Sequence, residues 1–96
     1  MELHREAGRI FAQGEDGRLL AEVTFPTRDG IARLDHTFVD PSLQGQGVAG
    51  RLLQAAADTL RAQGVKVWPT CSYAVDWFQK HPDQQDLLAP KEPQHR

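Results

Sequence analysis

A glycine-rich stretch from Gln44 to Gly50, QGQGVAG, lies between a predicted strand and a predicted helix. Glycines at such a place let the backbone approach a ligand closely. The first turn of a helix also leaves its N–H groups without intrahelical partners, and the helix dipole adds partial positive charge there. The stretch therefore predicts a site where backbone amides bind a phosphate group.

Two further residues have the chemistry for group transfer. Cys71, the only cysteine of the chain, follows a predicted strand and precedes a predicted helix, whose amides and dipole favour a thiolate. Such a cysteine could accept an acyl group as a thioester and pass it on. His36 is the only histidine predicted within the sheet, and we expect it to approach Cys71. Each also has a structural interpretation, as a small buried hydrophobe and as a core histidine.

Three strands are predicted in the first half of the chain, because apolar and polar residues alternate there between turn residues. They are Arg9–Gln13, Arg18–Pro26 and Ile31–Val39. Glycine and aspartate at residues 14–17 and 28–30 supply the turns. Strands joined by such short loops are antiparallel, so the pattern predicts a three-strand meander.

The alternation also predicts which side chains of the two longer strands share a face. In the second strand these are Leu19, Ala21, Val23 and Phe25. In the third strand they are Ala32, Leu34, His36 and Phe38. Glu22 and Asp35 fall on the opposite faces, which we expect to be solvated.

The apolar spacing changes to three and four residues in the second half, which predicts a helix over Gln46–Gln63 that Gly64 ends. A short strand at Val65–Trp68 should lie parallel to the third strand, since a helix of this length crosses between them. A second helix begins after Ser72 as N-cap and ends before Pro82. The fold class is therefore α/β (α+β), with the meander continuing into a βαβ unit: about four strands and two helices.

Composition limits the remaining possibilities. The 96 residues have a formal charge of −2 and 40% hydrophobic content, which predicts one domain over residues 1–88 and a disordered tail from Ala89. Without a basic cluster or an apolar span, we expect no nucleic-acid or membrane partner. The single cysteine can form no internal disulfide, so we expect a cytoplasmic location. One cysteine and scattered histidines also predict no metal site.

The glycines match two phosphate-binding patterns and also have a purely structural interpretation. Gly45, Gly47 and Gly50 fit the G-x-G-x-x-G dinucleotide fingerprint. That fingerprint follows the first strand of a parallel sheet and needs an acid at the end of the next strand, whereas Val67-Trp68-Pro69-Thr70-Cys71 has none. We therefore disfavour it. Glycines that serve only tight strand-to-helix packing remain an alternative.

The second pattern is Gln44-x-x-Gly47-x-Ala49, which matches the pyrophosphate loop of the GNAT N-acetyltransferase superfamily. The chain resembles the small single-domain GNAT-like proteins from Gly14 to about Leu88. The motifs that carry this resemblance are Leu34-Asp35-His36-Thr37-Phe38-Val39, Pro41 to Gly50, Lys66 to Tyr73, His81-Pro82 and Asp86-Leu87.

The resemblance implies an acetyl-CoA-dependent acyltransferase that acts on an amine. The backbone from Gly45 to Gly50 would hold the CoA pyrophosphate, with Gln44 shaping the loop, and pantetheine would lie along the edge of Phe38 and Val39. Tyr73 lies where many GNAT enzymes place the general acid for the CoA thiolate, although it also begins an apolar stripe with Trp77. The cofactor-binding residues implied are Phe38, Val39, Gln44, Gly45, Gln46, Gly47, Val48, Ala49 and Gly50. The catalytic residues are Cys71, His36 and Tyr73.

The chain departs from the larger superfamily in length. It has no room for the two helices that usually follow the first strand and help to form the acceptor cleft, nor for the closing pair of strands. We therefore expect an acceptor site that is open or is completed by a partner. Two other hypotheses follow. The protein could be a CoA-binding module without efficient catalysis, or an interaction protein that binds no nucleotide.

Overall fold

The computed structural model of the protein describes residues 1–90, which form seven strands and two α-helices. The strands are β1 (His4–Glu6), β2 (Arg9–Gln13), β3 (Leu19–Thr24), β4 (Thr27–Arg28), β5 (Ile31–Leu34), β6 (His36–Val39) and β7 (Lys66–Pro69). The helices are α1 (Val48–Gln63) and α2 (Ser72–Lys80), and 3-10 helices span Pro41–Leu43 and Pro82–Leu87.

The strands form two sheets, with the order β1-β2-β3-β6 and β4-β5-β7. The first sheet is antiparallel throughout, whereas β5 pairs with β7 in parallel. The mixed α/β class and the meander that continues into a βαβ unit are confirmed. The strand count exceeds the predicted four, because β1 and β4 lie outside the predicted strands and because the predicted third strand is divided into β5 and β6.

The predicted third strand is interrupted at Asp35 by a β-bulge. Ala32 pairs with Thr27 on one side of the interruption, and Thr37 pairs with Val23 on the other. The strand thus advances 37 − 32 = 5 residues while its partner advances 27 − 23 = 4. One extra residue on one strand is the definition of a bulge, and it reverses the face to which every later side chain points.

The bulge makes one sequence prediction wrong. Four residues were predicted to share a face of this strand: Ala32, Leu34, His36 and Phe38. Leu34 is buried, but His36 is exposed, and Val39 is buried in its place. Thr37 and Val39 therefore face the core after the bulge, and His36 and Phe38 face the opposite side of the sheet. In β3, Ala21 and Val23 are buried as predicted, and its register with β2 shifts only before them, between Leu19 and Ala21.

Helix α1 begins two residues later than predicted and ends at the predicted residue. Gly47, its N-cap, and Gly64, its C-cap, both have the left-handed backbone conformation, with φ of 73° and 71°. The C-cap N–H of Gly64 donates to Leu60 and Arg61 carbonyls, which satisfies the end of the helix. The face toward the sheet consists of the buried residues Val48, Leu52, Leu53, Ala56, Ala57 and Leu60.

Strand β7 and helix α2 follow α1, and the predicted parallel pairing of β7 with β5 is confirmed. Cys71 is the N-cap of α2 and has no side-chain capping bond, so Ser72 is the first helical residue and not the cap. The difference arises because the Cys71 carbonyl already accepts the first helical bond, from Val75 N–H at 3.0 Å. The helix ends before Pro82, as predicted.

Both helices lie on one side of the sheets, since α1 contacts β3 and also α2. We call the side chains on the other side of the first sheet the outer face. Within residues 1–90, neither helix has the length and the apolar composition needed to cross a membrane. The predicted tail begins at Ala89, whose N–H donates to the Val67 carbonyl at 2.8 Å. The rest of the tail, residues 91–96, lies outside the described residues.

Candidate functional site

The glycine loop presents backbone to open space. Gly45 and Gly47 have φ of 82° and 73°, a conformation that side-chain-bearing residues rarely adopt. A Cβ added at Gly45, Gly47 or Gly50 would meet no atom within 4 Å. The N-cap of α1 has no side-chain hydrogen bond, and the first turn contains no acidic residue. The loop can therefore accept an anionic group at the helix N-terminus, where amides and dipole favour negative charge.

The 3-10 helix before the loop is fixed by Asp40. Its carboxylate accepts hydrogen bonds from Ser42 N–H at 3.0 Å and Ser42 Oγ at 2.5 Å. These bonds, led by the one from the hydroxyl, lower the pKa of Asp40 below its ordinary value. Asp40 thus remains charged at neutral pH and caps the turn that leads into the glycines.

Gln44 connects the loop to β6. Its Nε2 donates to the Val39 carbonyl at 3.0 Å. Asp40 N–H donates to the Leu20 carbonyl at 2.7 Å. Asp40 and Phe38, two residues earlier in the same strand register, therefore direct their N–H and C=O groups toward β3. Because backbone direction alternates along a strand, the amides of Thr37 and Val39 face away from β3. The edge of β6 therefore offers Val39 N–H to an extended, amide-bearing ligand.

The edge of β6 is open because β7 pairs with β5 and not with β6. The last register pair of these parallel strands joins Leu34 to Pro69. The N–H groups of Thr70 and Cys71 then both donate to the Leu34 carbonyl, at 2.9 and 3.1 Å. The backbone turns into α2 at this point, so β6 and the start of α2 diverge after Leu34, and we call the opening between them the gap.

Cys71 lies at this gap and is partly buried. Its Sγ is 3.4 Å from Thr37 Oγ1, and its side chain packs against the hydrophobic core. Tyr73 follows in the first turn of α2 and is 42% exposed. The structure thus brings Cys71 next to the β6 edge, with Tyr73 close to it along the chain.

The predicted partner of Cys71 lies elsewhere. His36 is on the outer face, where its Nε2 is 3.3 Å from Glu22 Oε1 and its side chain is 52% exposed. Thr37, the next residue, makes the contact with Cys71 instead. The cause is the bulge at Asp35, which turns Thr37 toward the core side and His36 away from it.

Glu22 was predicted to be solvated, and this is wrong. Its side chain is only 15% exposed, it forms an ion pair with Arg9, and its Oε1 lies 3.3 Å from His36 Nε2. The guanidinium of Arg9 lies 3.7 Å above the ring of Phe11 and also contacts Glu6 at 3.2 Å. Hydrogen bonding to Glu22 is the main cause that raises the pKa of Arg9.

Sequence reasoning missed Glu22 and Thr37 as site residues. Their proximity to His36 and Cys71 depends on strand register, which neither residue type indicates. The nearest signal in the sequence is the pairing of the second and third strands, which places Glu22 opposite the end of the third strand. The bulge then decides which residue it meets.

Comparison with known proteins is consistent across sequence and structure. Residues 9–87 match a family model described as GCN5-related N-acetyl-transferase. No curated protein sequence matches the chain. Among solved structures, a GCN5-like protein from Staphylococcus aureus superposes with a TM-score of 0.77 at 29% identity, over 99% of this chain and 94% of its own.

Larger structures share the fold alone. The ribosomal-protein-S18-alanine N-acetyltransferase of Escherichia coli matches at 23% identity with a TM-score of 0.62, over 75% of this chain and 49% of its own. N-acetylglutamate synthase of Neisseria gonorrhoeae, crystallised with coenzyme A and N-acetyl-glutamate, matches at 19% identity with a TM-score of 0.62, over 81% of this chain and 21% of its own. The chain spans half or less of the length of these two enzymes.

Proposed function

This chain belongs to the GCN5-related N-acetyltransferase family, and from that premise we propose that it transfers an acetyl group from acetyl-CoA to an amine. The observation that carries the proposal is the glycine loop. Its first helical amides face open space, and a Cβ at Gly45, Gly47 or Gly50 would occupy that space. A backbone site of this kind suits a pyrophosphate in a chain whose net charge is only −2.

The cofactor-binding residues follow the loop and the adjacent strand edge. The amides of Gly45, Gly47, Val48, Ala49 and Gly50 would bind the pyrophosphate, whereas Gln46, whose N–H donates to the Leu43 carbonyl at 3.3 Å, would line the loop. Val39 N–H would bind a pantetheine carbonyl at the edge of β6, beside Phe38. Gln44 supports this arrangement because it already occupies the Val39 carbonyl and so fixes the angle between strand and loop.

Direct transfer requires one base and one acid. His36 would accept the proton of the acceptor amine as the C–N bond forms and the bond between acetyl carbon and sulfur breaks. Tyr73, exposed in the first turn of α2, would donate a proton to the CoA thiolate that leaves. The outer face is free of both helices, which is consistent with access for an amine from that side.

Transfer through Cys71 is the finer form of the proposal. Its thiolate would attack the thioester and release the CoA thiolate as the bond between acetyl carbon and CoA sulfur breaks. The amine would then attack the Cys71 thioester, forming the amide, and its proton would restore the Cys71 thiol. The position of Cys71 at the gap beside β6 supports this route. The contact with Thr37 gives Sγ a hydroxyl partner that could hold it there.

Calorimetry tests cofactor binding. Wild-type protein should bind acetyl-CoA at micromolar concentrations, and Gly47→Glu should abolish binding, because a carboxylate would stand where the phosphates bind. Gly17→Glu is the matched control, since Gly17 also has a positive φ, 84°, and open space around it, but lies in the β2–β3 turn. Equal affinity of wild type and Gly47→Glu would refute the assignment.

Intact-protein mass spectrometry tests the Cys71 route. After mixing with acetyl-CoA, the wild-type chain should carry one added acetyl group that Cys71→Ala lacks. Ser72→Ala serves as control for substitution at the start of α2. Full turnover by Cys71→Ala would show direct transfer, and the thioester step would then be abandoned.

A CoA-binding module without efficient catalysis is the second candidate. The observation in its favour is that the matched part of this chain spans only 49% of the Escherichia coli enzyme. Tight binding of CoA, seen as a raised melting temperature, together with no acetylation of any amine in a broad screen would support it. Turnover of any amine would exclude it.

For the chain as a whole, we propose one domain over residues 1–88 that acts in the cytoplasm, which rests on composition alone.

A further inference from the structure

Glu22 and His36 form a pair on the outer face of the first sheet. Glu22 Oε1 lies 3.3 Å from His36 Nε2. The other carboxylate oxygen, Oε2, accepts a hydrogen bond from Arg9 Nε. Both oxygens of Glu22 are therefore engaged, and its side chain is 15% exposed compared with 52% for His36.

The charged groups around this pair lie in three places: β1, β2 and the bulge at Asp35. Arg9 on β2 binds Glu22, and it also contacts Glu6 on β1 at 3.2 Å. Asp35, in the bulge, accepts a hydrogen bond from Thr24 Oγ1 at 2.6 Å and so is turned toward β3. The hydrogen bond to Glu22 raises the pKa of Arg9, which keeps the guanidinium charged throughout the accessible pH range. Glu22 therefore faces a permanent positive charge on one side and an imidazole on the other.

We propose that Glu22 is a positioning residue that fixes the tautomer of His36. An ionised carboxylate only accepts hydrogen bonds, so Nε2 carries the proton in the neutral ring and Nδ1 is left as the acceptor. Within residues 1–90, His36 Nδ1 has no hydrogen-bond partner, and the half-exposed ring can present it to an amine. This inference rests on the proposed function in one respect, the role of His36 as base.

Glu22 is the less suitable base of the two. A carboxylate whose two oxygens are held by a guanidinium and an imidazole would have to break one of these bonds to take a proton from substrate. His36 loses nothing by accepting a proton at Nδ1, since the resulting imidazolium keeps its 3.3 Å contact with the carboxylate of Glu22. The geometry thus assigns proton transfer to His36 and orientation to Glu22.

The decisive variant is Glu22→Gln. Arg9 Nε–H needs an acceptor, so the amide oxygen of the glutamine takes the place of Oε2 and the NH2 group faces His36. That NH2 group donates to Nε2, which forces the proton of the neutral ring onto Nδ1. Long-range 1H–15N NMR of the imidazole in the full chain, at mildly alkaline pH, should show an Nε2–H tautomer in wild type and an Nδ1–H tautomer in Glu22→Gln. Glu6→Gln, which alters the other carboxylate on Arg9, should keep the wild-type tautomer.

Kinetics provide the second measurement. Glu22→Gln should lower kcat about a hundredfold, the lower end of what general base catalysis contributes, with the KM for acetyl-CoA unchanged. Glu6→Gln should change neither value. Calorimetric unfolding of both variants verifies that they fold as the wild type does.

The two measurements separate the failure of this inference from failure of the proposed function. A wild-type ring that shows the Nδ1–H tautomer or a mixture, or a tautomer that Glu22→Gln leaves unchanged, would overturn the positioning role. Equal losses of kcat in Glu22→Gln and Glu6→Gln would also overturn it. If the tautomer inverts as described but wild-type protein acetylates no amine, the orientation of His36 by Glu22 is supported and the proposed transferase activity is refuted.

Discussion

The glycine loop and the outer-face cluster are built by different means. The loop, residues 44–50, offers backbone amides whose positions depend on left-handed glycines and on the start of α1. The cluster consists of the side chains of Arg9, Glu22 and His36, whose meeting depends on three strands in a particular register. The loop is specified by residues that are close together in sequence. The cluster is specified by residues that are up to 27 positions apart, from 9 to 36.

The glycine loop and the outer-face cluster should respond differently to substitution. A loop of backbone amides tolerates many substitutions that leave its glycines in place, and in the proposed function it would bind the part of the cofactor that does not react. A side-chain cluster can lose its chemistry through one atom, as Glu22→Gln would test. Binding and turnover should therefore respond to separate sets of variants.

The largest expected effect is on the core that supports both regions. Leu52 on α1 is fully buried, and Leu52→Ala should reduce the free energy of unfolding by about 2–5 kcal/mol through lost burial and a cavity. Urea unfolding measures it. Asp58→Ala, on the exposed face of the same helix, should change stability by less than about 0.5 kcal/mol. If the two variants were equally stable, α1 would not be the shared support of the loop and the sheet.

The next largest effect should distinguish the outer-face cluster from the glycine loop. His36→Gln should lower kcat about a hundredfold and leave the Kd for CoA unchanged, because His36 lies on the outer face, away from the loop. His4→Gln, on the same face in β1, should alter neither value. A weakened Kd in His36→Gln would mean that the cluster also contributes to cofactor binding.

A smaller effect should come from the connection between loop and strand. Gln44→Leu removes the hydrogen bond to the Val39 carbonyl, and a typical net bond of about 1 kcal/mol corresponds to about a fivefold loss of CoA affinity. Calorimetry measures it. Gln46→Leu is the control, since its Nε2 contacts the Ser42 carbonyl only at 3.5 Å. Equal losses in both variants would show that the connection to β6 has no special role.

The smallest effect concerns pH and the turn before the loop. Hydrogen bonds from Ser42 lower the pKa of Asp40 in the folded protein, so its stabilising contribution is present above its ordinary pKa of 3.8 and is lost as pH falls through the lowered value. Asp40→Ala should therefore be less stable than wild type at neutral pH, and the difference should narrow below about pH 4. Thermal unfolding of both proteins from neutral to acid pH measures this stability difference. A difference that stays constant with pH would contradict the stabilising role of the Asp40 carboxylate.

Sequence alone predicted the elements that depend on local physics. The apolar spacing and Gly64 define α1, and glycine at 47 allows the loop to open onto its N-terminus. The parallel partner of β7 followed from chain connectivity, because a helix as long as α1 must cross the sheet.

The bulge at Asp35 could not be predicted in the same way. Alternation of residue types continues through Leu34, Asp35 and His36 without interruption, so the pattern contains no trace of the extra residue. It arises because the strand pairs with β7 before the bulge and only with β3 after it. The pairing of Glu22 with His36 depends on the same register, and a polar residue in an alternating strand is otherwise expected to face solvent.

The central claim is that the backbone of the glycine loop and of the β6 edge binds CoA. It is tested most directly by titrating the 15N-labelled full chain with CoA and following its amide resonances. We expect the largest shifts at residues 45–50 and at Thr37 to Val39, with Gly47→Glu abolishing them. The absence of shifts at these amides at saturating CoA, or shifts confined to β1 and β2, would contradict it.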